Sequence, residues 1–180
     1  MSAAPDPDVA RPRMDAGMPD YGAPAGDDFE SLPHDRALVR SMVPGDLDAI
    51  VAIDAKLTGR DRRPYYDAKL NEVIGETGVR VSLIAEADGR PVGYIMARVD
   101  YGEFGRAEPT AVIDTIGVEP GHGHQGIGAA LLSQLVTNLD ALHVEVLRTT
   151  VAWNNFSLLG FLNRSGFRPA QQLVLSLSVT

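Results

Sequence analysis

The sequence predicts an α/β fold of six strands and four helices, in the order β-α-α-β-β-β-α-β-α-β. Three observations carry that reading. A strand-like run near residue 40 is followed by two helical patterns. Asp88-Gly89 stands between two apolar runs, a strong hairpin signal. A glycine-rich stretch at 118–128, "VEPGHGHQGIG", joins a strand-like run to a helix with leucines four apart.

The elements follow in order. Residues 1–34 are rich in Ala, Pro, Asp and Gly, carry few large apolar side chains and show no period. Such a stretch cannot bury enough surface to offset the entropy of ordering it. It is expected to be a disordered acidic tail, with 35–180 forming one domain. Ala37 to Met42 reads as the first strand, and Asp46 stands where a helix N-cap would. Leu47, Ile50, Val51 and Ile53 or Leu57 recur at helical spacing. Thr58 to Pro64 breaks that helix, and a second runs from about Tyr65 to Ile74. Strands at Arg80–Glu86 and Pro91–Val99 flank the turn, and a polar linker leads to a strand at Ala111–Val118. After the glycine loop, Ile127, Leu131, Leu135 and Leu139, with Leu132 and Val136 beside them, make an amphipathic helix. His143–Val151 reads as a strand, Asn155–Ser165 as a short helix ended by Gly166, and Gln171–Val179 as a last strand.

The bulk composition excludes several roles. The chain has 180 residues and a formal charge of -8, which disfavours nucleic acid as a partner. It contains no Cys, so a cysteine nucleophile, a Cys-zinc site and a disulfide are all ruled out. No metal is expected. No apolar run has bilayer length and no secretory pattern opens the sequence, so no membrane role is expected and the cytoplasm is the expected location.

The glycine loop admits three readings, each with a phosphate in it. Glycines let the backbone turn tightly and approach an anion, while the amides and dipole of the following helix attract it. The P-loop reading fails because Ile127 and Gly128, not Lys and Ser/Thr, follow Gly126. The dinucleotide reading, on Gly121, Gly123 and Gly126, conflicts with its place late in the chain and with Glu119-Pro120 between strand and glycine. In the third, Gly126 and Gly128 close a loop around the pyrophosphate of coenzyme A.

Two motifs carry a resemblance that favours the third reading. "IDTIGVEPGHGHQGIGAALL" is similar to the strand, V-x-P, R/Q-x-x-G-x-G/A loop and helix of the GNAT superfamily of acyl-CoA-dependent N-acyltransferases. "WNNFSLLGFLNRSGFRP" is similar to that family's N-x-x-x-x-x-[LF]-Y-x-[KR]-x-G-F. The resemblance covers roughly Ala37 to Val179 and includes the order of elements. It implies a central mixed, mostly antiparallel sheet of six to seven strands with about four helices. The fourth and fifth strands would splay around the acyl-CoA arm.

The same resemblance assigns residues. Ile116, Gly117 and Val118 would bind the pantetheine arm and polarise the thioester. Gly123, His124, Gln125, Gly126, Ile127, Gly128 and Ala129 would hold the pyrophosphate of acetyl-CoA. Asn155 would contact the arm, and Arg164 either reaches a phosphate or is a solvated helix charge. His122 and His124 are either weak donors or solvated loop residues. Two departures matter. Gly123 stands where the family commonly has Arg or Gln, and Leu162 stands where many members have the Tyr that protonates the leaving thiolate.

An attacking amine must lose a proton to some group or to water. Asp114, on the strand that flanks the thioester, is the first candidate base. A structural carboxylate is the equal alternative, and its side chain shares a face with Ile116 unless a bulge intervenes. Glu103 and Glu108 are further candidates. Tyr65, Tyr66, Tyr94, Tyr101 and Ser157 are available to the thiolate. Arg60, Arg62 and Arg63 either favour an acidic acceptor or form a plain solvated loop, and Trp153 either lines the acceptor cleft or, as favoured, is core or subunit interface. The expected reaction is acetyl transfer from acetyl-CoA to a small-molecule or peptide amine. A non-catalytic acyl-CoA-binding module and a transferase for a longer acyl group are the alternatives. Homodimers are common in the family.

Overall fold

The computed structural model describes residues 37–75, 79–100, 109–171 and 174–178, and the side chains of 71–75 are left aside. The expected tail at 1–34 lies outside these residues, as do Tyr101, Glu103 and Glu108. The elements are β1 (Leu38–Ser41), α1 (Leu47–Thr58), α2 (Arg63–Gly75), β2 (Arg80–Ala87), β3 (Arg90–Asp100), β4 (Thr110–Val118), α3 (Ile127–Ala141), β5 (Val146–Thr149) and α4 (Phe156–Arg164). The strands form one mixed sheet in the order β1-β2-β3-β4-β5. β1 to β4 pair antiparallel, and β5 lies parallel to β4.

Each element has a local cause. Asp88 and Gly89 both adopt positive φ, 51° and 71°, which suits a tight hairpin whose twist matches its strands. α1 ends at Gly59 with φ 70°, in the left-handed region that glycine tolerates. Asp46 holds the N-cap position of α1, but its side chain makes no capping hydrogen bond there. Its carboxylate accepts the Val43 N–H at 2.8 Å and a two-pronged contact from Arg40, tying a short 3₁₀ turn to β1.

Two apolar layers sandwich the sheet. On one face, Ile127, Leu131, Leu132, Leu135 and Leu139 of α3 pack on Leu83, Ile95, Ala97, Ala111 and Ile113. These are the helix positions that the spacing predicts, while Val136 stays half-exposed. On the other face, Ile50, Val51 and Ile53 of α1 and Tyr66 of α2 cover Ile84, Tyr94 and Met96.

The C-terminal third departs from expectation. The strand expected over His143–Val151 shrinks to Val146–Thr149, because His143, with φ 56°, belongs to the turn that closes α3. The last strand expected over Gln171–Val179 is absent from its described residues: 174–178 join no sheet. The sheet therefore has five strands among the described residues, not six or seven. A strand needs a neighbouring strand to pair with, and this segment pairs with no described strand.

Candidate active site

The site is built around a fork. β4 and β5 pair only over Thr110–Ile113 and Val146–Thr149, and β4 then continues without β5 to Val118. Thr149 Oγ1 donates to the Ile113 carbonyl at 3.2 Å and closes the apex. The Glu119 N–H donates to the Val92 carbonyl, on the β3 side. Backbone groups alternate sides along a strand, so Thr115 and Gly117 address β3 as well. The N–H and C=O of Ile116 and Val118 therefore turn into the fork, where they can meet an extended ligand arm as a neighbouring strand would. Gly117 has a different task. A Cβ there would lie 2.7 Å from the Tyr94 ring, so glycine makes room for that buried side chain.

β4 carries a bulge at the fork. The register passes from Met96↔Thr115 to Ala97↔Ile113, leaving Asp114 as the extra residue. Ile113 and Ile116 consequently both pack toward α3. Asp114 and Thr115 both turn to the opposite face, so Asp114 does not share a face with Ile116. There Asp114 is enclosed by cations: Lys69 Nζ at 3.1 Å, Arg80 at 3.8 Å and a close contact from Arg98.

The glycine loop ends in a set of open amide donors. Pro120–His122 forms a 3₁₀ turn, His124 takes φ 61° and Gly126 takes φ 80°. The first helical hydrogen bond of α3 runs from Ala130 N to Gly126 O at 2.9 Å, and no side chain caps Gly126. The N–H groups of Ile127, Gly128 and Ala129 thus lack helical acceptors and, with the helix dipole, form a cradle for an anion. A Cβ at Gly121 or Gly126 would meet nothing within 4 Å, so the loop is open around the helix end. Gly128 also serves packing, since a Cβ there would touch the Phe161 ring at 3.4 Å.

Side chains add little to this cradle. Gly123, His124 and Gln125 are exposed, and Gln125 Nε2 reaches only the Gly121 carbonyl, at 3.5 Å. His122 turns its Nδ1 inward, 3.5 Å from Glu119 Oε2 and without a hydrogen bond among the described residues. Lys56 ties Glu119 to α1, and that hydrogen bond holds the Glu119 carboxyl below its ordinary range. Asn155 is the N-cap of α4: its Oδ1 accepts the Leu158 N–H at 3.2 Å, leaving its amide NH₂ for other contacts. Arg164 lies exposed in the last turn of α4, and Leu162 is buried.

A buried polar network on the α1–α2 side escapes sequence reasoning. Asp54 lies on the apolar stripe of α1 at 2% exposure. Arg62 grips it with two nitrogens, one at 2.8 Å, and Tyr94 OH donates to it at 3.3 Å. Tyr66 OH bonds Tyr94 OH at 2.8 Å and lies 3.4 Å from Thr115 Oγ1, beside the bulge. Burial alone would raise the Asp54 carboxyl, but Arg62 and the two phenols outweigh it and hold it below the ordinary range. Burial raises both phenols, with the Tyr66 hydrogen bond adding to the effect on Tyr94. The available signal was an Asp four residues after Ile50, on the stripe that faces the core.

This network alters the expected roles of several residues. Tyr66 and Tyr94 are wholly buried, and their hydroxyls bond one another. Arg62 is committed to Asp54 and Arg63 contacts Asp48 at 2.8 Å, so of the three arginines for which an acidic acceptor was one of two readings, two are engaged elsewhere. Trp153 is 82% exposed, which removes the core alternative. No group of three or more His, Asp or Glu among the described residues is placed to hold a metal, and no described helix is long and apolar enough to cross a membrane.

Comparisons with known proteins agree with this geometry. The family model described as "Acetyltransferase (GNAT) family" matches residues 49–167. No curated protein matches the chain. A transcriptional regulator from Bacillus halodurans is similar in structure at TM-score 0.67 and 19% identity, covering 79% of this chain and 99% of its own. The aminoglycoside 6'-N-acetyltransferase AAC(6')-Ih from Acinetobacter baumannii also reaches 0.67, at 17% identity, covering 80% and 99%. AAC(6')-Iy, in complex with the bisubstrate analog CoA-S-monomethyl-acetylneamine, gives the same TM-score, identity and coverage. At these identities the structural likeness shows the fold.

Proposed function

The chain belongs to the GNAT acetyltransferase family, and from that premise we propose that it transfers an acetyl group from acetyl-CoA to a primary amine, by direct attack in a ternary complex. The fork is the observation that carries this reading. Among the described residues it leaves the inward-facing backbone of Ile116 and Val118 without a strand beside it, close in sequence to the open amides of α3. The residues present fit the co-substrate: a strand edge for its arm and an amide cradle for its pyrophosphate. Acetyl-CoA supplies an activated thioester when bound.

The chain's own groups do the rest. The Ile116 and Val118 backbone aligns the arm. The Ile116 N–H polarises the thioester carbonyl and stabilises the negative charge that develops on its oxygen. The amides from Gly123 to Ala129 hold the pyrophosphate, with the Asn155 NH₂ on the arm and Arg164 near a phosphate. The amine nitrogen bonds the carbonyl carbon, the C–S bond breaks, and the thiolate leaves. Water takes the ammonium proton, because Asp114 is enclosed by three cations. The small-molecule amine named in the AAC(6')-Iy complex supports an acceptor of that class. Titration calorimetry with acetyl-CoA and with NAD tests the reading: acetyl-CoA is expected to bind, and binding of NAD alone sinks it.

The buried Leu162 favours a second reading, an acyl-CoA-binding module without turnover. Thiol release across a panel of amines separates the two. Amine-dependent release above hydrolysis excludes the module, and its absence with acetyl-CoA bound excludes the transferase. Competition among acyl-CoAs decides whether a longer acyl group is preferred.

A further inference from the structure

A chain of hydroxyls runs from a buried carboxylate to the fork, and its hydrogen bonds have one consistent direction. Asp54 is gripped by Arg62 and held in its charged form, so its oxygens can only accept. Tyr94 OH therefore donates to it, at 3.3 Å. A hydroxyl has a single proton to give. Tyr94 thus accepts at its 2.8 Å contact with Tyr66, and Tyr66 OH is the donor there. Tyr66 has no proton left for Thr115 Oγ1, 3.4 Å away, so Thr115 is the donor in that pair. Arg62 also donates to Tyr66 OH, at 3.4 Å, which fills both lone pairs of the phenol. The chain ends on Thr115, with its hydrogen turned inward and its oxygen lone pairs unused among the described residues. Thr115 is half-buried while both phenols are wholly buried, so it is the member of the hydroxyl chain that a second molecule can reach. It directly precedes Ile116, whose N–H turns into the fork. The bulge at Asp114 sets the Thr115 side chain on the face away from α3. On the other face Ile116 packs against the α3 core, so the approach to the fork is from the side on which Thr115 stands.

Resting on the transferase reading, we propose that Thr115 Oγ1 accepts a hydrogen bond from an N–H of the attacking amine and aims its nitrogen at the thioester carbon. Tyr66, Tyr94 and Asp54 are positioning residues that act through Thr115. A neutral amine has both groups that this arrangement needs: an N–H for the Thr115 oxygen and a lone pair left for the carbonyl carbon. A hydroxyl free to rotate would instead donate its hydrogen to that lone pair and mask it. The inward bond to Tyr66 prevents this, because the buried charge of Asp54 fixes the direction of every bond behind it. No proton moves to Thr115, and the ammonium proton still leaves to water.

The test combines initial rates across a panel of amines at saturating acetyl-CoA, calorimetry with acetyl-CoA, and urea unfolding, all on the full chain. Thr115→Val keeps the side-chain shape without the hydroxyl. It is expected to lower kcat/KM for the amine about ten-fold, with acetyl-CoA affinity within about two-fold of the parent and unfolding unchanged. Thr115→Ser restores the hydroxyl and is expected to recover most of the rate. Tyr66→Phe is expected to lower kcat/KM about three-fold in the parent but to add no loss to Thr115→Val, because Tyr66 acts only through that hydroxyl. A Thr115→Val chain as fast as the parent overturns the inference. So does a Tyr66→Phe loss of equal size in both backgrounds, or weakened acetyl-CoA binding by Thr115→Val at unchanged stability. Those results leave the transferase reading standing, whereas a parent that binds acetyl-CoA and acetylates no amine overturns both.

Discussion

Asp114 occupies the bulge of β4, yet Lys69, Arg80 and Arg98 converge on its carboxylate. An oxygen already engaged by several cations is poorly placed to accept a proton from an incoming amine, whereas a bulge that must hold its shape gains from such contacts. Asp114→Asn is therefore expected to cost about 1–3 kcal/mol of stability, by leaving partly buried cations short of a counter-charge. It should lower kcat by less than about ten-fold. Urea unfolding and initial rates with one acceptor check this. A fall of about 10²–10⁴ in kcat at unchanged stability would instead identify a general base. The sequence places Asp114 on the right strand, but its partners come from α2, β2 and β3, and no local pattern brings those elements together. Asp54 was closer to legible, since its position on the α1 stripe follows from the helical period. What the period withholds is whether a core-facing Asp has a partner, and here Arg62 arrives from the next connection.

Between strands, glycine positions that look alike in sequence separate by what surrounds them. Gly117 lies opposite Tyr94, and a Cβ would sit 2.7 Å from the ring of a side chain that is 1% exposed and bonded to Tyr66 and Asp54. Gly121 lies in the open loop, where a Cβ would meet nothing within 4 Å. Gly117→Ala is expected to cost about 1–3 kcal/mol, as overpacking in a filled core does. Gly121→Ala should stay within about 0.5 kcal/mol. Thermal unfolding of both variants checks this, and equal shifts would mean that Tyr94 can move aside. The same contrast explains which elements sequence reasoning recovers. The leucines of α3 declare themselves because periodicity and burial coincide on one face. The hairpin is legible because Asp88-Gly89 matches its backbone demand. The fork at Ile113 came only from family resemblance, since nothing in composition says where two strands part. Gln171–Val179 reads as a last strand in the sequence, but a strand-like run does not supply a neighbour.

Across the whole molecule, carboxylate–arginine pairs bind the α1 side together. Asp46 and Arg40 join β1 to the turn before α1, and Glu86 of β2 also contacts Arg40. Asp54 and Arg62 join α1 to the lead-in of α2, with Tyr94 linking both to β3. The Arg40 hydrogen bond holds the Asp46 carboxyl below its ordinary value, and Asp54 is held low against the opposing effect of burial. The sign of the linkage follows. A carboxyl with a depressed folded-state pKa binds fewer protons than its unfolded counterpart, so stability rises with pH through that interval. The contribution is complete above the unfolded value of about 3.9 and is lost as pH falls toward and through the folded value. Stability is therefore expected to be level from about pH 7 to pH 5 and to decline steeply below about pH 4. Asp54→Asn should cost about 2–3 kcal/mol at neutral pH, where the charged pair and its phenol contacts are intact. The variant should lose less on further acidification than the parent does. The two stability curves should thus converge as pH falls, in urea titrations taken at a series of pH values. Curves that run parallel through the acid range would show that the Asp54 carboxylate contributes no charge-dependent stability, and that Asp46 and other carboxylates account for the decline.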